Sequence, residues 1–440
     1  MSADPPIGVV ILAAGKGTRM KSRLAKVLHP LEGRPMLGYS LSAAEALGPE
    51  RLVVVIGRDA DQVREQFAGR ATFVLQDEQR GTGHAVMMAR EALADFAGEV
   101  LILYGDTPVL RAETLQRMVD VKRDSGADLV MLTAHVAVPG IVVRDDAGRV
   151  ARIVEDTDAT PEERMIEERN TGVYLLSSEL LWDALGKIDD QNEQGELYLT
   201  AIVEISVASG RRIEALMLED SDEAIGVNTR VELAAAAAAL RRRKLNQLML
   251  AGVTIVDPAA TYIDVDVEIG RDCVIEPGCV IQGKTILGEG VHLKPGCMIE
   301  SSQVGDGVQM GPNAHLRPGS VLGRDVRIGN FVEVKNSILG DGVKADHLSY
   351  IGDADVGEGA SFGCGAITVN YNWRDKNRTK VGARANIGCN VNLIAPVTIG
   401  EDAAVAAGST IAQEVPADAL AVERARHRNV ENWVSRKRKP

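Results

Sequence analysis

The sequence predicts an α/β chain in which a parallel sheet covered by helices is followed by a parallel β-helix of hexapeptide repeats. Apolar strands alternate with helical stretches up to about residue 227, and aliphatic residues recur at every sixth position after Tyr262. Aromatic residues make up only 3% of a chain that is 45% hydrophobic. A large core must therefore consist of Val, Ile, Leu and Ala, which suits repetitive β structure.

The N-terminal half has the pattern of alternating strands and helices. Residues 52–57 and 100–106 are apolar runs of strand length, and residues 112–127 have a helical pattern. This alternation is typical of a parallel sheet covered by helices. Residues 230–251 have high helix propensity, contain no Gly or Pro and precede Gly252, so we expect a connecting helix there.

The six-residue period is the most specific architectural signal. Its aliphatic positions are Ile269, Ile275, Ile281, Leu287, Leu293, Ile299, Val304, Met310, Leu316, Leu322, Ile328 and Val334, and later Ile387, Leu393, Ile399, Val405 and Ile411. Such a period indicates a solenoid whose short strands stack coil upon coil, with glycine at tight corners. We interpret residues 344–357 as an irregular part and residues 368–386 as a loop outside the solenoid. With 440 residues the chain suits more than one domain, which we place at 1–229 and 252–440.

Charge and cysteine content exclude several classes of protein. The net charge of -13 argues against nucleic-acid or anionic-membrane partners. There is neither a basic leader at the N-terminus nor an apolar stretch near the ~18 residues of a membrane span, so we expect a cytoplasmic protein. The cysteines are odd in number, show no CxxC pair and are interpreted as reduced core thiols: Cys273, Cys279, Cys297, Cys364 and Cys389.

A glycine-rich turn follows the first apolar run, in the segment ILAAGKGTRM at residues 11–20. It matches neither of the two common phosphate-binding templates. However, residues 13–17 can present a concave set of backbone N–H groups, and Thr18, Arg19 and Lys26 can add donors and positive charge around an oligophosphate. The alternative is a strand-to-helix turn with solvated basic residues.

Three further segments repeat this theme. Gln76 is expected at a strand end and residues 81–83 at a helix start, while Asp106 follows a strand and Asn228 precedes the connecting helix. Ligands of open α/β sheets bind at the carboxyl ends of strands. A carboxylate and an amide oxygen, together with phosphate oxygens and waters, suit Mg²⁺. Alternatively, Asp106 merely caps a turn.

The motifs LAAGKGTRM with Lys26, QDEQRGTGHA, LYGDTPVL, RNTG and GVNTR resemble those of the sugar-1-phosphate nucleotidyltransferases. Joined to a hexapeptide solenoid, they resemble the bifunctional bacterial N-acetylglucosamine-1-phosphate uridyltransferases and glucosamine-1-phosphate acetyltransferases, over nearly the whole chain. The resemblance implies a Rossmann-like nucleotidyltransferase domain followed by a left-handed parallel β-helix. It also implies a homotrimer that uses acetyl-CoA and glucosamine-1-phosphate, then UTP and N-acetylglucosamine-1-phosphate, with Mg²⁺ as cofactor.

The resemblance also implies roles for residues of the first domain. Those placed around the nucleotide and sugar are Leu12, Ala13, Ala14, Gly15, Lys26, Gln76, Gly81, Thr82, Tyr104, Gly105, Gly140, Glu155, Asn170 and Asn228. Gln76, Gly81 and Thr82 would read uracil, whereas Glu155 and Asn170 would bind the sugar. Arg19 and Lys26 would act on the triphosphate, and Asp106 with Asn228 would hold Mg²⁺. The segment at 136–146 is shorter than the family's and lacks its tyrosine.

In the solenoid, spacing alone favours a structural role for His347. Basic residues on neighbouring coils argue otherwise, and an imidazole suits proton abstraction from an amine. The resemblance implies that His347 is this base. Residues placed around the sugar phosphate and acetyl-CoA are Arg317, Lys335, Tyr350, Ser361, Cys364, Asn370, Tyr371, Lys376, Cys389, Ala407 and Arg424. Ser361, Cys389 and Trp373 stand where the family has Asn, Ser and Gly.

Two other hypotheses remain open from the sequence. In one, the chain is a nucleotidyltransferase whose β-helix serves only as an oligomerisation or regulatory scaffold. In the other, it is a catalytically silent binding protein that senses ligands at both sites. The basic C-terminal segment from residue 422 is equally well explained as a solvated tail or as a contact for the coenzyme phosphates.

Overall fold

The structure is a computed structural model that describes residues 5–57, 60–136 and 138–438. Residues 1–4, at which a leader would begin, and residue 137 of the segment 136–146 therefore lie outside the described residues. The chain divides into two compact units, Met1–Leu240 and Arg241–Pro440. The division falls within a long helix, Arg230–Leu250.

The first unit consists of a sheet with helices on its faces. Its strands are β1 (Ile7–Ala13), β2 (Pro30–Leu31), β3 (Arg34–Pro35), β4 (Arg51–Ile56), β5 (Thr72–Leu75), β6 (Glu99–Tyr104), β7 (Leu129–His135), β8 (Ile141–Arg144), β9 (Val150–Val154), β10 (Glu168–Ser177) and β11 (Ile213–Met217). Its helices are α1 (Met36–Glu45), α2 (Ala60–Gln66), α3 (Thr82–Met88), α4 (Ala112–Ser125), α5 (Ser178–Leu185), α6 (Ala201–Ala208) and α7 (Arg230–Leu250), the last of which continues into the second unit. The expected strands, the helix near 112–127 and the connecting helix are all present.

The sheet has the order β11-β7-β10-β6-β1-β4-β5, with the β8–β9 hairpin attached beside β10. The prediction of a parallel sheet is wrong for three strands, because β10 runs antiparallel to both β6 and β7, and β8 pairs antiparallel with β10 and β9. Parallel neighbours need a long crossover, usually a helix. The described residues between β7 and β10 form only the β8–β9 hairpin and a single 3₁₀ turn, so the chain returns in the opposite direction.

The second unit is the predicted left-handed parallel β-helix, with three sheets along its length. The first sheet contains β12 (Thr254–Ile255), β15 (Val274–Ile275), β18 (His292–Leu293), β21 (Gln309–Met310), β24 (Arg327–Asn330), β27 (Lys344–His347), β30 (Ser361–Phe362), β33 (Asn386–Ile387), β36 (Ala404–Val405) and β38 (Leu420–Ala421). The second contains β13 (Tyr262–Ile263), β16 (Val280–Gln282), β19 (Met298–Glu300), β22 (His315–Arg317), β25 (Glu333–Lys335), β28 (Tyr350–Gly352), β31 (Ile367–Val369), β34 (Asn392–Ile394) and β37 (Thr410–Ile411). The third contains β14 (Glu268–Ile269), β17 (Ile286–Leu287), β20 (Gln303–Val304), β23 (Val321–Leu322), β26 (Ile338–Leu339), β29 (Ala354–Val356), β32 (Thr379–Val381) and β35 (Val397–Ile399). A short helix, α8 (Trp433–Lys437), lies in the exposed C-terminal segment.

The hexad positions form the core of this prism. All those predicted are buried in one apolar cluster except Ile269, which is half-buried and packs against it. Glycine at the corners is explained by the close approach of the coils. A Cβ on Gly305 would lie 2.7 Å from the carbonyl carbon of Gly323 on the next coil, closer than real Cβ atoms come.

Two boundaries predicted within the β-helix are wrong. The supposedly irregular segment 344–357 continues the coils, with Ala345 and Ile351 buried in the core. The predicted loop 368–386 is shorter, since Thr368 and Thr379 occupy buried positions in β31 and β32. The excursion between these two strands covers residues 370–378, and residues 382–385 form an ordinary corner before β33. A small alanine and two threonines at core positions hide the aliphatic period.

The cysteines are all free thiols, as expected, but they are not all in the core. Cys273, Cys279 and Cys297 are buried, whereas Cys364 is half-buried and Cys389 is exposed. The last two lie at corners of the coils rather than on inward positions. Across the residues that the structure describes, no helix has the length and apolar character needed to span a membrane.

Candidate functional site

A cavity of about 280 Å³ lies at the carboxyl ends of β1 and β6. Its wall contains the expected nucleotide residues Leu12, Ala13, Ala14, Gly15, Lys26, Gln76, Gly81, Thr82, Tyr104 and Asp106, together with Val27, Gln79, Ala85 and Glu196. These residues come mainly from the loops that follow β1, β5 and β6, whose carboxyl ends meet at this edge of the sheet. The geometry is that of ligand sites in open α/β sheets.

A second cavity, of about 330 Å³, adjoins the first and shares Thr82, Tyr104, Asp106 and Glu196 with it. Its wall also contains the expected Glu155, Asn170 and Asn228, and further polar groups at Gln194, Tyr198 and Thr200. Gly140 supports this wall from behind, since its carbonyl oxygen accepts a hydrogen bond of 2.7 Å from Asn170 N. Gly105 likewise lies behind the wall, where a Cβ would be 3.1 Å from Ala13 Cβ.

The structure does not bring Arg19 into either cavity. Arg19 is exposed on the single 3₁₀ turn at residues 18–20, outside both cavity walls. Gly17 precedes this turn with a left-handed backbone (φ 59°), and a Cβ there would lie 2.7 Å from Lys26 Cβ. Glycine is therefore needed at residue 17 for both backbone angle and space, and this places Lys26 across the loop.

Lys26 joins the two residues expected to hold a metal. Its ammonium forms a short ion pair with Asp106 Oδ2 and a hydrogen bond of 3.1 Å to Asn228 Oδ1. The Lys26 side chain is 9% exposed and that of Asp106 19%. Three groups that are distant in sequence thus converge on one point, at which a single cation contacts both oxygen ligands.

The groups expected to read a base are held by the start of α3. Gln76 is buried, and its Nε2 donates to Gly81 O (3.2 Å) and lies 3.1 Å from His84 Nδ1. Gly81 has a left-handed backbone, with φ of 108°. Thr82 Oγ1 accepts a hydrogen bond of 3.0 Å from Leu199 N, which ties this helix to the 194–200 segment.

Asn228 is positioned by a capping box at the start of α7. Glu232 Oε2 accepts hydrogen bonds from the backbone N–H of Asn228 and of Thr229, both at 2.7 Å, while Glu232 N donates to Thr229 Oγ1 at 3.2 Å. The helix thus satisfies its own free N–H groups and fixes the residue before it.

We expect Thr229→Ala and Glu232→Ala each to lower the free energy of unfolding by about 1 kcal/mol, because each leaves backbone N–H groups unsatisfied. Urea denaturation followed by circular dichroism measures this. Glu232→Gln is the matched control, since its side-chain oxygen still accepts a hydrogen bond and the loss should be smaller. Equal losses for Gln and Ala would contradict the capping role.

Glu155 has an unusual environment for a carboxyl group. Burial raises its pKa, and a hydrogen bond of 3.2 Å from Thr200 Oγ1 offsets part of this rise. Burial and the nearby Asp106 and Glu155 carboxylates likewise raise the pKa of Tyr104, so its hydroxyl stays protonated. The second cavity therefore presents a partly desolvated carboxylate beside neutral hydroxyl and amide groups, a set that suits the hydroxyls and amide of a sugar.

This pKa shift predicts a pH-dependent stability. Below the ordinary glutamate pKa of about 4.3, Glu155 is protonated in both folded and unfolded chains and has no ionisation cost. As pH rises through its raised folded pKa, the folded wild type loses stability relative to Glu155→Gln. We expect the variant's advantage in urea denaturation to grow from pH 4 to 8, whereas the exposed control Glu193→Gln shows no such trend. A pH-independent difference would contradict this account.

In the β-helix, a cluster of charged and polar side chains lies on the second sheet and the loop that follows it. Arg317 and Lys335 are direct partners in the β22–β25 register. Lys335 Nζ lies 3.3 Å from Asp353 Oδ2, and Asn370 Nδ2 donates to Asp353 and, at 3.3 Å, to the Tyr350 hydroxyl. Asp353 is thus the centre of the cluster, although the sequence did not single it out.

One more cation, Lys376, completes this cluster. Lys335 beside it lowers the pKa of Lys376, as expected when two ammonium groups approach each other. Arg317 donates to Glu333 Oε1 at 2.9 Å. Lys335 and Lys376 lie near the Asp353 carboxylate, whose pKa is lowered by hydrogen bonds from Asn336 and Asn370 and by the charge of Lys335. Together with Arg317 on the neighbouring coil, these cations form a site suited to a phosphate dianion.

His347 lies at a different corner, at the end of β27. It is exposed and borders a cavity of about 280 Å³ that also contains Lys294, Arg327 and Asp346. On the following coils the corner carries Cys364, Cys389 and Ala407. Arg424 approaches the neighbouring Gly408, since a Cβ on that glycine would lie 3.8 Å from Arg424 Cδ.

The remaining expected residues lie around these corners. Ser361 Oγ donates to Asn386 Oδ1 at 3.3 Å, and the exposed Tyr371 donates its hydroxyl to Trp373 O at 2.9 Å. Trp373, which replaces a glycine of the family pattern, has a left-handed backbone (φ 76°) and is 89% exposed. The loop therefore keeps a glycine-like turn despite the bulky residue.

Two family models match different parts of the chain, and curated relatives match nearly all of it. Residues 9–195 match the MobA-like NTP transferase domain, and residues 246–340 match the GMPPB C-terminal domain. The bifunctional protein GlmU of Trichlorobacter lovleyi is 49% identical, with 98% of both chains covered. Those of Geobacillus thermodenitrificans and Halalkalibacterium halodurans are 48% and 46% identical, with 98% and 97% of this chain covered and 98% of each relative.

The chain belongs to the bifunctional GlmU family. As a GlmU-family member it is a bifunctional transferase of UDP-N-acetylglucosamine synthesis, with a nucleotidyltransferase and an acetyltransferase activity. The hypotheses of a scaffold-only β-helix and of a silent binding protein are therefore set aside.

Sequence reasoning missed several polar residues of this GlmU-family chain. Gln79, whose Nε2 donates to Ala14 O, lies within the QDEQRGTGHA motif and could have been included. Glu196 and Thr200 lie in the GELYLTA segment, in which no residue was predicted to line a site. Asp353 follows Tyr350 closely in HLSYIGD, but its contacts join three coils and leave no local signal.

Proposed function

We propose that the first unit transfers a uridylyl group from UTP to N-acetylglucosamine-1-phosphate, and that the second transfers an acetyl group from acetyl-CoA to glucosamine-1-phosphate. The observation that carries the first part is the convergence of Lys26 Nζ on Asp106 and Asn228. It supports a cation site at the edge of the sheet, next to a cavity built from the backbone of residues 12–15.

The donor set fits Mg²⁺. A carboxylate and an amide oxygen are hard ligands, and phosphate oxygens and water would supply the rest of an octahedral shell. Among the described residues there is no group of three or more His, Cys, Asp or Glu that could hold a metal by itself, so a site completed by the nucleotide is the fitting type. Bound Mg²⁺ would neutralise phosphate charge during displacement of pyrophosphate.

Lys26 would then change partners. An ammonium cannot share Asp106 and Asn228 with a metal at the same point, so its charge would turn to the triphosphate oxygens across Gly15, whose backbone it already approaches. The residues around Gln76 and Thr82 would hold uracil. Glu155 and Asn170 would orient the sugar, so that its phosphate oxygen attacks the α-phosphorus in line.

In the second unit, we propose His347 as the general base. Its imidazole would take a proton from the glucosamine amine as the nitrogen attacks the thioester carbonyl, and the coenzyme thiolate would leave. Arg317, Lys335 and Lys376 would hold the sugar phosphate, with Tyr350 and Asn370 beside them. Ser361, Cys364, Tyr371, Cys389, Ala407 and Arg424 would lie near the sugar and along acetyl-CoA.

The proposal includes a homotrimer in the cytoplasm that binds neither nucleic acid nor membrane, with functional domains at 1–229 and 252–440.

The small-molecule substrates can be tested by incubating the chain with UTP, Mg²⁺, glucosamine-1-phosphate and acetyl-CoA, omitting each in turn. Free thiol should require only acetyl-CoA and the amino sugar, while pyrophosphate should require all four. Pyrophosphate release without acetyl-CoA would contradict the proposed order.

A further inference from the structure

Two cysteines occupy the same position on consecutive coils of the β-helix. β30 and β33 pair in parallel, with Phe362 opposite Ile387, and two residues further along each coil Cys364 lies opposite Cys389. Backbone hydrogen bonds enclose the pair, from Gly363 N to Ile387 O (2.7 Å) and from Asn390 N to Cys364 O (2.8 Å). The parallel register therefore continues past both cysteines.

The spacing and exposure of this pair suit a disulfide. Neighbouring strands lie about 4.8 Å apart, within the ~4.4–6.8 Å that separates the Cα atoms of disulfide-bonded cysteines. The coils are in close contact here, since a Cβ on Gly363 would lie 2.9 Å from Cys389 Cα. Cys389 is exposed and Cys364 half-buried, so small reagents can reach them. Cys279 and Cys297 stack in the same manner but are buried.

The pair also lies in one column with the proposed catalytic base. Ala345 is opposite Phe362 and Ile387 is opposite Val405 in the same sheet, which places His347 next to Cys364, and Cys389 next to Ala407. In the proposed acetyltransferase, acetyl-CoA lies along Ala407 and Cys389 with its thioester near His347. The two cysteines then lie in the path of the acyl donor, a placement that rests on the proposed function.

We propose that Cys364 and Cys389 form a reversible disulfide that blocks acetyl transfer and leaves uridylyl transfer unaffected. The oxidant is a small-molecule disulfide. The Cys389 thiolate attacks one of its sulfurs, forms a mixed disulfide and releases one small thiol. The Cys364 thiolate then attacks the Cys389 sulfur and releases the second. Two protein thiols and one small disulfide thus become one protein disulfide and two small thiols, which carry the two protons.

The test is to treat the full-length chain with oxidised glutathione, map unreduced peptides by mass spectrometry and assay both activities. We expect a peptide cross-linked between Cys364 and Cys389, with acetyl transfer reduced at least about tenfold because the donor is excluded. Dithiothreitol should restore acetyl transfer, and uridylyl transfer should be unchanged throughout.

Variants Cys364→Ala and Cys389→Ser are each compared with themselves before and after oxidation, since both positions belong to the proposed donor site. Acetyl transfer by Cys389→Ser, which lacks the attacking thiol, should be insensitive to oxidised glutathione. Cys364→Ala should stop at the Cys389 mixed disulfide and yield no cross-linked peptide. Absence of the cross-linked peptide, or full acetyl transfer by the cross-linked chain, would overturn the inference. A reduced wild type without acetyl transfer would instead overturn the proposed function, while the peptide map still tests the disulfide.

Discussion

Replacing Asp106 with alanine is expected to reduce uridylyl transfer by at least about a hundredfold. In other enzymes, the removal of one preorganised group that stabilises charge in the transition state has an effect of this size. Asp106 is the only carboxylate that the structure places at the Lys26 ammonium within the described residues. Its loss would leave the cation site with the Asn228 amide oxygen alone. Release of pyrophosphate from UTP, Mg²⁺ and N-acetylglucosamine-1-phosphate measures the effect.

Acetyl transfer by the same variant should match the wild type, because the residues proposed for it all belong to the second unit. The exposed Asp124→Ala on α4 is the control and should retain both activities. A parallel loss of both activities in Asp106→Ala would contradict separate sites. Direct titration with Mn²⁺ in the presence of UTP should show weaker metal binding in this variant only.

Replacing His347 with alanine is expected to reduce acetyl transfer by about a hundredfold to ten-thousandfold, the usual contribution of a general base. His347 is exposed at a corner of the β-helix, so the loss should come from proton transfer rather than from unfolding. Formation of free coenzyme thiol measures it, and melting curves test the folded state.

The matched control is His292→Ala, on β18 of the same sheet, where the imidazole contacts Glu276 Oε1 at 2.7 Å. Acetyl transfer by this variant should be unchanged. Uridylyl transfer should be unchanged in both variants. Retention of acetyl transfer by His347→Ala would assign the proton to another group, and Asp346 in the same cavity would be the next candidate.

The sequence predicts the fold well where one physical period dominates. Residues such as Ile281 and Leu316 must point inward if the coils are to stack, so their spacing determines the β-helix. The period is hidden where Ala345 and Thr368 fill core positions, because neither is a large aliphatic residue. The reversed strand β10 was missed because direction depends on what connects the strands, not on their composition.

The site was predictable only in part, for a similar reason. Motifs place Asp106 at a strand end and Lys26 after the glycine-rich turn that follows β1, but their contact joins residues that are 80 positions apart. Thr200 and Asp353 act through contacts across elements and leave no local pattern. Trp373 is the opposite case, because here the sequence suggests a change that the structure does not show. A tryptophan in place of glycine suggests a different turn, yet its backbone keeps the left-handed φ of 76° that glycine would adopt.

The most direct test is a crystal structure of the chain with UTP and Mn²⁺, with data collected at the manganese absorption edge. We expect an anomalous peak within bonding distance of Asp106 and Asn228 oxygens, with Lys26 turned to the triphosphate. A nucleotide-bound structure with its manganese elsewhere, and Lys26 still paired with Asp106, would contradict it.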